Sequence, residues 1–114
     1  MGNITSVESM FSECKNLTSI DLSNKELKNL EDLSRMFFNC SSLKSVNLEN
    51  FTLKEIEKMD YMFYKCISLK HINLKSLNTE GASINNIFFG VNKKCKVEVE
   101  NKKIKDEFNK IKNK

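Results

Sequence analysis

Three stretches decide how this chain folds: MFSECKNLTSIDLS at residues 10–23, MFFNCSSLKSVNLE at 36–49 and MFYKCISLKHINLK at 62–75. Each begins 26 residues after the one before. With Met10-Phe11, Met36-Phe37 and Met62-Phe63 aligned, Cys14, Cys40 and Cys66 coincide, as do Leu17, Leu43 and Leu69. Ile20, Val46 and Ile72 then align, followed by Leu22, Leu48 and Leu74. A fixed period of this length marks a repeat architecture, in which one unit is too small to bury its own apolar face and depends on its neighbours.

Continued downstream, the register persists in weakened form. Ile87-Phe88 arrives one residue early, Val91 takes the cysteine place, Lys94 breaks the leucine place, and Val97 and Val99 restore the last pair. Upstream, Ile4 and Val7 match Leu30 and Leu33, and also Ile56 and Met59, so residues 3–9 read as the end of a further unit. The expected organisation is one domain over residues 1–114, with repeats at 10–35, 36–61 and 62–86, a degenerate repeat at 87–100 and a C-terminal cap at 101–114.

Within a unit the apolar spacing changes from two to three or four. Leu17–Leu22 therefore reads as a short strand and Leu30–Cys40 as a helical segment. The fold class this predicts is α/β: a short right-handed leucine-rich-repeat solenoid with a parallel β-sheet, one short helical segment per turn and a C-terminal capping helix. Neighbouring strands lie about 4.8 Å apart, so four of them span only roughly 15–20 Å. In the cap, Asn101 can start a helix in which Ile104, Phe108 and Ile111 recur on one face. The Leu17–Leu22 strand should lie at an open edge, leaving a truncation, a self-association contact or a partner there as alternatives.

The aligned residues resemble the BspA-like leucine-rich repeats of bacterial and protist surface proteins, whose turn runs N-[IV]-T-x-M-x-x-M-F-x-x-C-x-x-L-x-x-[IL]-D-L-S. Residues 3–23, NITSVESMFSECKNLTSIDLS, match that turn almost throughout, and the resemblance extends over about residues 3–99. It implies a right-handed solenoid used for adhesion or protein recognition, and it brings no catalytic residues with it.

Composition narrows the function classes. The hydrophobic fraction of 39% and charged fraction of 30% belong to a chain that folds. No window approaches the roughly 18 apolar residues of a membrane span, and the N-terminus lacks a secretory signal pattern. The expected location is cytoplasmic for a complete chain, and cell surface or secreted for an excised fragment. The net charge is +4, and residues 92–114 hold nine lysines against four acids. Such a tail can attract nucleic acid, although Lys-rich ends more often serve to solvate a terminus. With one arginine, Arg35, and no tryptophan, nothing else in the sequence argues for nucleic acid.

The chemistry-bearing residues are few. Three cysteines at the repeat spacing, with no C-x-x-C pair, read as buried free thiols, leaving Cys95, off the ladder, as the thiol expected to be most exposed. His71, the sole histidine, is expected on the surface, and acid-base work would need a positioned partner for it. There is no phosphate-binding loop, dinucleotide fingerprint or nucleophile elbow, so neither a cofactor nor a metal is expected and enzyme activity is not. The start Met1-Gly2-Asn3-Ile4-Thr5-Ser6 fits an acylation pattern, but Ile4 is already explained by the repeat. Met36, Phe37, Met62 and Phe63 are assigned to core. What remains is a protein-binding face made of the outward strand positions Ser19, Asp21, Ser45, Asn47, His71, Asn73, Lys96 and Glu98, with the partner protein unspecified. The alternatives are a small stand-alone inhibitor, of viral or mobile-element type, of a host enzyme or nucleic-acid-processing complex, and a fragment of a surface adhesin.

Overall fold

The computed structural model describes residues 10–113, apart from 28, 29, 54 and 78. The expected unit end at residues 3–9 and the acylation pattern lie outside them. The architecture is mixed α/β, with strands β1 (Ser19–Asp21), β2 (Glu26–Leu27), β3 (Ser45–Asn47), β4 (Thr52–Leu53), β5 (His71–Asn73) and β6 (Lys96–Glu98), followed by helix α1 (Lys102–Lys112). A four-stranded sheet has the order β1-β3-β5-β6, and β2 pairs with β4 in a second, two-stranded sheet. All pairings are parallel.

The pairing follows the sequence period. Ile20 lies opposite Val46, Val46 opposite Ile72, and Ile72 opposite Val97. The single-residue slip that brings Ile87 forward has a location: Leu27 pairs with Leu53 in full register, whereas Ser83 pairs with Lys58, 25 residues earlier. The shortened connection between Leu77 and Ser83 turns at Gly81, whose φ of +82° a glycine adopts without penalty.

The core consists of the aligned columns. Met36, Phe37, Cys40, Leu43 and Leu48, and their counterparts Met62, Phe63, Cys66, Leu69 and Leu74, are buried. Phe11, Phe37, Phe63 and Phe88 stack in a file with centroids 5.6, 5.7 and 5.9 Å apart. Phe108 of α1 closes that file edge-on to Phe88 at 5.3 Å. The helix itself meets expectation: the Asn101 side chain accepts a hydrogen bond from the Ile104 N–H at 3.1 Å, and Ile104 and Phe108 face inward. Burying a phenylalanine or leucine in this way contributes about 1.5–3 kcal/mol.

The helical segment expected at Leu30–Cys40 does not form. Arg35 and Asn39 sit in the left-handed region at φ 58° and 59°, and Tyr61, Lys65 and Asn86 repeat those positions at 57°, 57° and 52°. A right-handed helix cannot pass through such residues. Backbone N–H groups alternate between two kinds of partner instead. Those of Met36, Phe38 and Cys40 reach back three residues to Leu33, Arg35 and Phe37, while those of Arg35, Phe37 and Asn39 cross to the carbonyls of Asp60, Met62 and Tyr64 in the next unit. The apolar spacing of three to four thus comes from successive tight turns, and α1 is the one α-helix among the described residues.

Candidate binding face

The register gathers the eight expected contact residues into two rows across the four-stranded sheet. Ser19, Ser45, His71 and Lys96 form one row, and Asp21, Asn47, Asn73 and Glu98 the other. The two rows differ in what their side chains are doing.

The Asp21 row is largely occupied with its own backbone. Asp21 Oδ1 accepts from the Ser23 N–H at 2.9 Å and from the Ser23 hydroxyl at 2.6 Å. Those bonds hold its carboxyl below the usual aspartate range. Asn47 Oδ1 accepts from the Glu49 N–H at 3.0 Å, and Asn73 Oδ1 from the Lys75 N–H at 2.9 Å. These are side-chain turns closing the strand ends, the ordinary use of Asp and Asn where a strand stops. Asn73 corrects the expectation most clearly: it is buried, and its Nδ2 donates to Glu49 Oε1 at 3.2 Å. In an inner strand with both ends of its amide engaged, it is part of the scaffold.

The other row is more open. Ser19 and Lys96 are exposed, and Ser45 and His71 are half-buried. His71 has a partner, since its Nε2 lies 2.5 Å from Glu98 Oε2, with Lys75 Nζ 3.4 Å from Glu98 Oε1. The hydrogen bond from His71, reinforced by Lys75, holds the Glu98 carboxyl below the ordinary glutamate range. The pair persists at neutral pH and is lost as pH falls through that lowered value. The position two past each strand residue had not been singled out, yet Glu49 and Lys75 knit neighbouring strands together. Their opposite charges one period apart were the available signal.

A second feature escaped the sequence reading. Phe38, Tyr64 and Phe89 stack outside the core at 4.8 and 5.1 Å, with the Arg35 guanidinium over Phe38 and the Lys65 ammonium over Tyr64. Aromatic residues at one position of three successive units were its signal, hidden by Ser12 at that place in the first.

The thiols serve packing. Cys40 Sγ donates to the Phe11 carbonyl and Cys66 Sγ to that of Phe37, both at 2.9 Å, so each thiol satisfies a carbonyl one unit back. Burial pushes the Cys66 thiol up to about 12 and the Cys95 thiol up to about 11. Cys95 reverses the expectation: it is buried, whereas Cys14 is half-buried. The reason is α1, since Cys95 lines one cleft with Lys105 and Phe108 of that helix. All four cysteines are free. Among the described residues no cluster of three or more His, Cys, Asp or Glu is placed to hold a metal ion, and no helix is long and apolar enough to cross a membrane.

Residues 1–105 match the family described as Mycoplasma protein of unknown function, DUF285, and the chain belongs to that family. No curated protein and no solved structure matches it.

Proposed function

We propose that this family member is a short right-handed leucine-rich-repeat solenoid of BspA-like type that works as a non-catalytic protein-binding module. The observation that carries the reading is the row Ser19–Ser45–His71–Lys96, polar side chains from four parallel strands set on a sheet whose opposite side is core. Groups fixed on a rigid sheet lose little freedom on binding, so a partner meets preorganised hydrogen-bonding groups at low entropic cost. The neighbouring row, tied to its own backbone, supplies that rigidity. The inhibitor and adhesin readings differ in the identity of the partner and are compatible with the same face.

Capture of partner proteins from host lysate or host-cell surfaces tests this. Asn47 and Asn73 are unsuitable for substitution, because removing them breaks strand-end turns. The Ser19→Tyr/Ser45→Tyr variant instead places bulk on the open row in residues that strands favour. It should retain the wild-type melting temperature and lose the captured protein. Capture that survives this change and disappears with Tyr64→Ala would move the interface to the aromatic stack and contradict the assignment.

A further inference from the structure

Two sets of lysines contrast in their partners. Lys75, Lys102 and Lys110 pair with Glu98, Asp106 and Glu107, so part of the basic C-terminal segment is neutralised by its own acids. At the N-terminal ends of β3, β5 and β6 the situation is reversed. Lys44, Lys70, Lys94 and Lys96 are exposed there, and none has an ion-pair partner among the described residues.

Three of these lysines line one shallow cavity of about 510 Å³, together with Ile67, Asn92 and Cys95, and no acid lines it. Ile67 is 58% exposed, at a position where the other units carry Lys15, Ser41 and Asn92. It lies outside every buried column, and packing does not account for it. The surroundings are rigid. The Lys70 N–H donates to the Lys44 carbonyl, so these two lysines spring from adjacent rungs about 4.8 Å apart. Ser68 Oγ donates to the Ser41 carbonyl at 2.7 Å, and Asn92 Oδ1 accepts from the Lys94 N–H at 2.8 Å, fixing the two turns that frame the cavity. Like charges held this close raise the local positive potential, and an anionic partner relieves it.

We propose that this corner docks an acidic peptide segment that carries an apolar side chain. Carboxylates of the peptide meet Lys44, Lys70 and Lys94, and its apolar side chain covers Ile67. A nucleic acid fits the lining less well, because neither an arginine nor an aromatic ring is present to stack on a base. The proposal rests on the protein-binding reading above and locates the contact at one end of the sheet.

Fluorescence anisotropy with a labelled eight-residue peptide of alternating Glu and Leu tests it. The controls are the Gln/Leu analogue, single-stranded DNA and heparin. The acidic peptide is expected to bind, to weaken as salt is raised, and to lose at least about tenfold in affinity in the Lys44→Gln/Lys70→Gln/Lys94→Gln variant, as the loss of three exposed charge pairs implies. Ile67→Ser should weaken it further, and both variants, altered only at exposed positions, should keep the wild-type melting temperature. Equal binding of the Gln/Leu analogue, tighter binding of DNA or heparin, no binding of the acidic peptide, or an unaffected lysine variant would each overturn the site. None of those results touches the sheet-face reading, which the Ser19→Tyr/Ser45→Tyr variant tests separately.

Discussion

The first and second repeat units carry almost the same apolar pattern, yet the structure treats them differently. Phe37, Cys40, Leu43, Val46 and Leu48 are buried, while their counterparts Phe11, Cys14, Leu17, Ile20 and Leu22 are only half-buried. The second unit lies between two others, whereas β1 is the edge of the described sheet. The contrast teaches that a residue's energetic weight here is set by how many sides of its unit are covered, and only secondarily by its own identity. A column shares its burial among neighbours, as expected where stability is a sum of unit and interface contributions.

Paired substitutions can break that comparison. Phe63→Ala should cost about 3–5 kcal/mol in urea unfolding, and Phe11→Ala less than about half as much, because less apolar surface is lost. Equal costs would show that the edge unit is as well covered as the inner ones. Leu43→Ala, at about 2–5 kcal/mol, should likewise exceed Leu17→Ala.

The thiols sharpen the comparison in two ways. A buried thiol whose folded value is raised gives stability that is complete below the unfolded value of 9.0 and is lost as pH rises towards about 12 for Cys66 or about 11 for Cys95. Unfolding free energy should therefore fall above roughly pH 9 by up to about 1.4 kcal/mol per pH unit for each such thiol, and the slope should be shallower in Cys66→Ala. At neutral pH a thiol reagent should label half-buried Cys14 in the native protein and reach Cys40, Cys66 and Cys95 only on unfolding, as peptide mapping can establish. Labelling of Cys95 ahead of Cys14 would contradict the placement of α1. The smallest effect lies in the backbone. Glu13 is left-handed at φ 58°, so Glu13→Asn should raise stability by up to about 1 kcal/mol in thermal melts.

Much of this was legible in the residues. The period identified which side chains pair and which columns are buried, because apolar burial recurs wherever a unit meets its neighbour. The capping helix was legible from Asn101, Ile104 and Phe108. The Leu30–Cys40 segment was misread because apolar spacing alone does not separate a helix from consecutive turns. The deciding feature is the left-handed backbone at Arg35 and Asn39, and arginine carries no signal for it. On the candidate face, alternation along the strands identified the rows, but not that Asp21, Asn47 and Asn73 turn back onto their own backbone. That depends on where the strands end, and they end sooner than the pattern extends. The lysine corner was missed because freedom from ion pairing is a property of the assembled sheet.

The central claim is that residues one period apart are neighbours in space. Isotope-edited NMR on methyl- and aromatic-labelled protein addresses it directly, through nuclear Overhauser contacts between the Val46 and Ile72 methyls and between the Phe37 and Phe63 rings. Both contacts are expected, with no helical pattern through Ser34–Asn39. Absence of both, together with helical contacts across that segment, would contradict it.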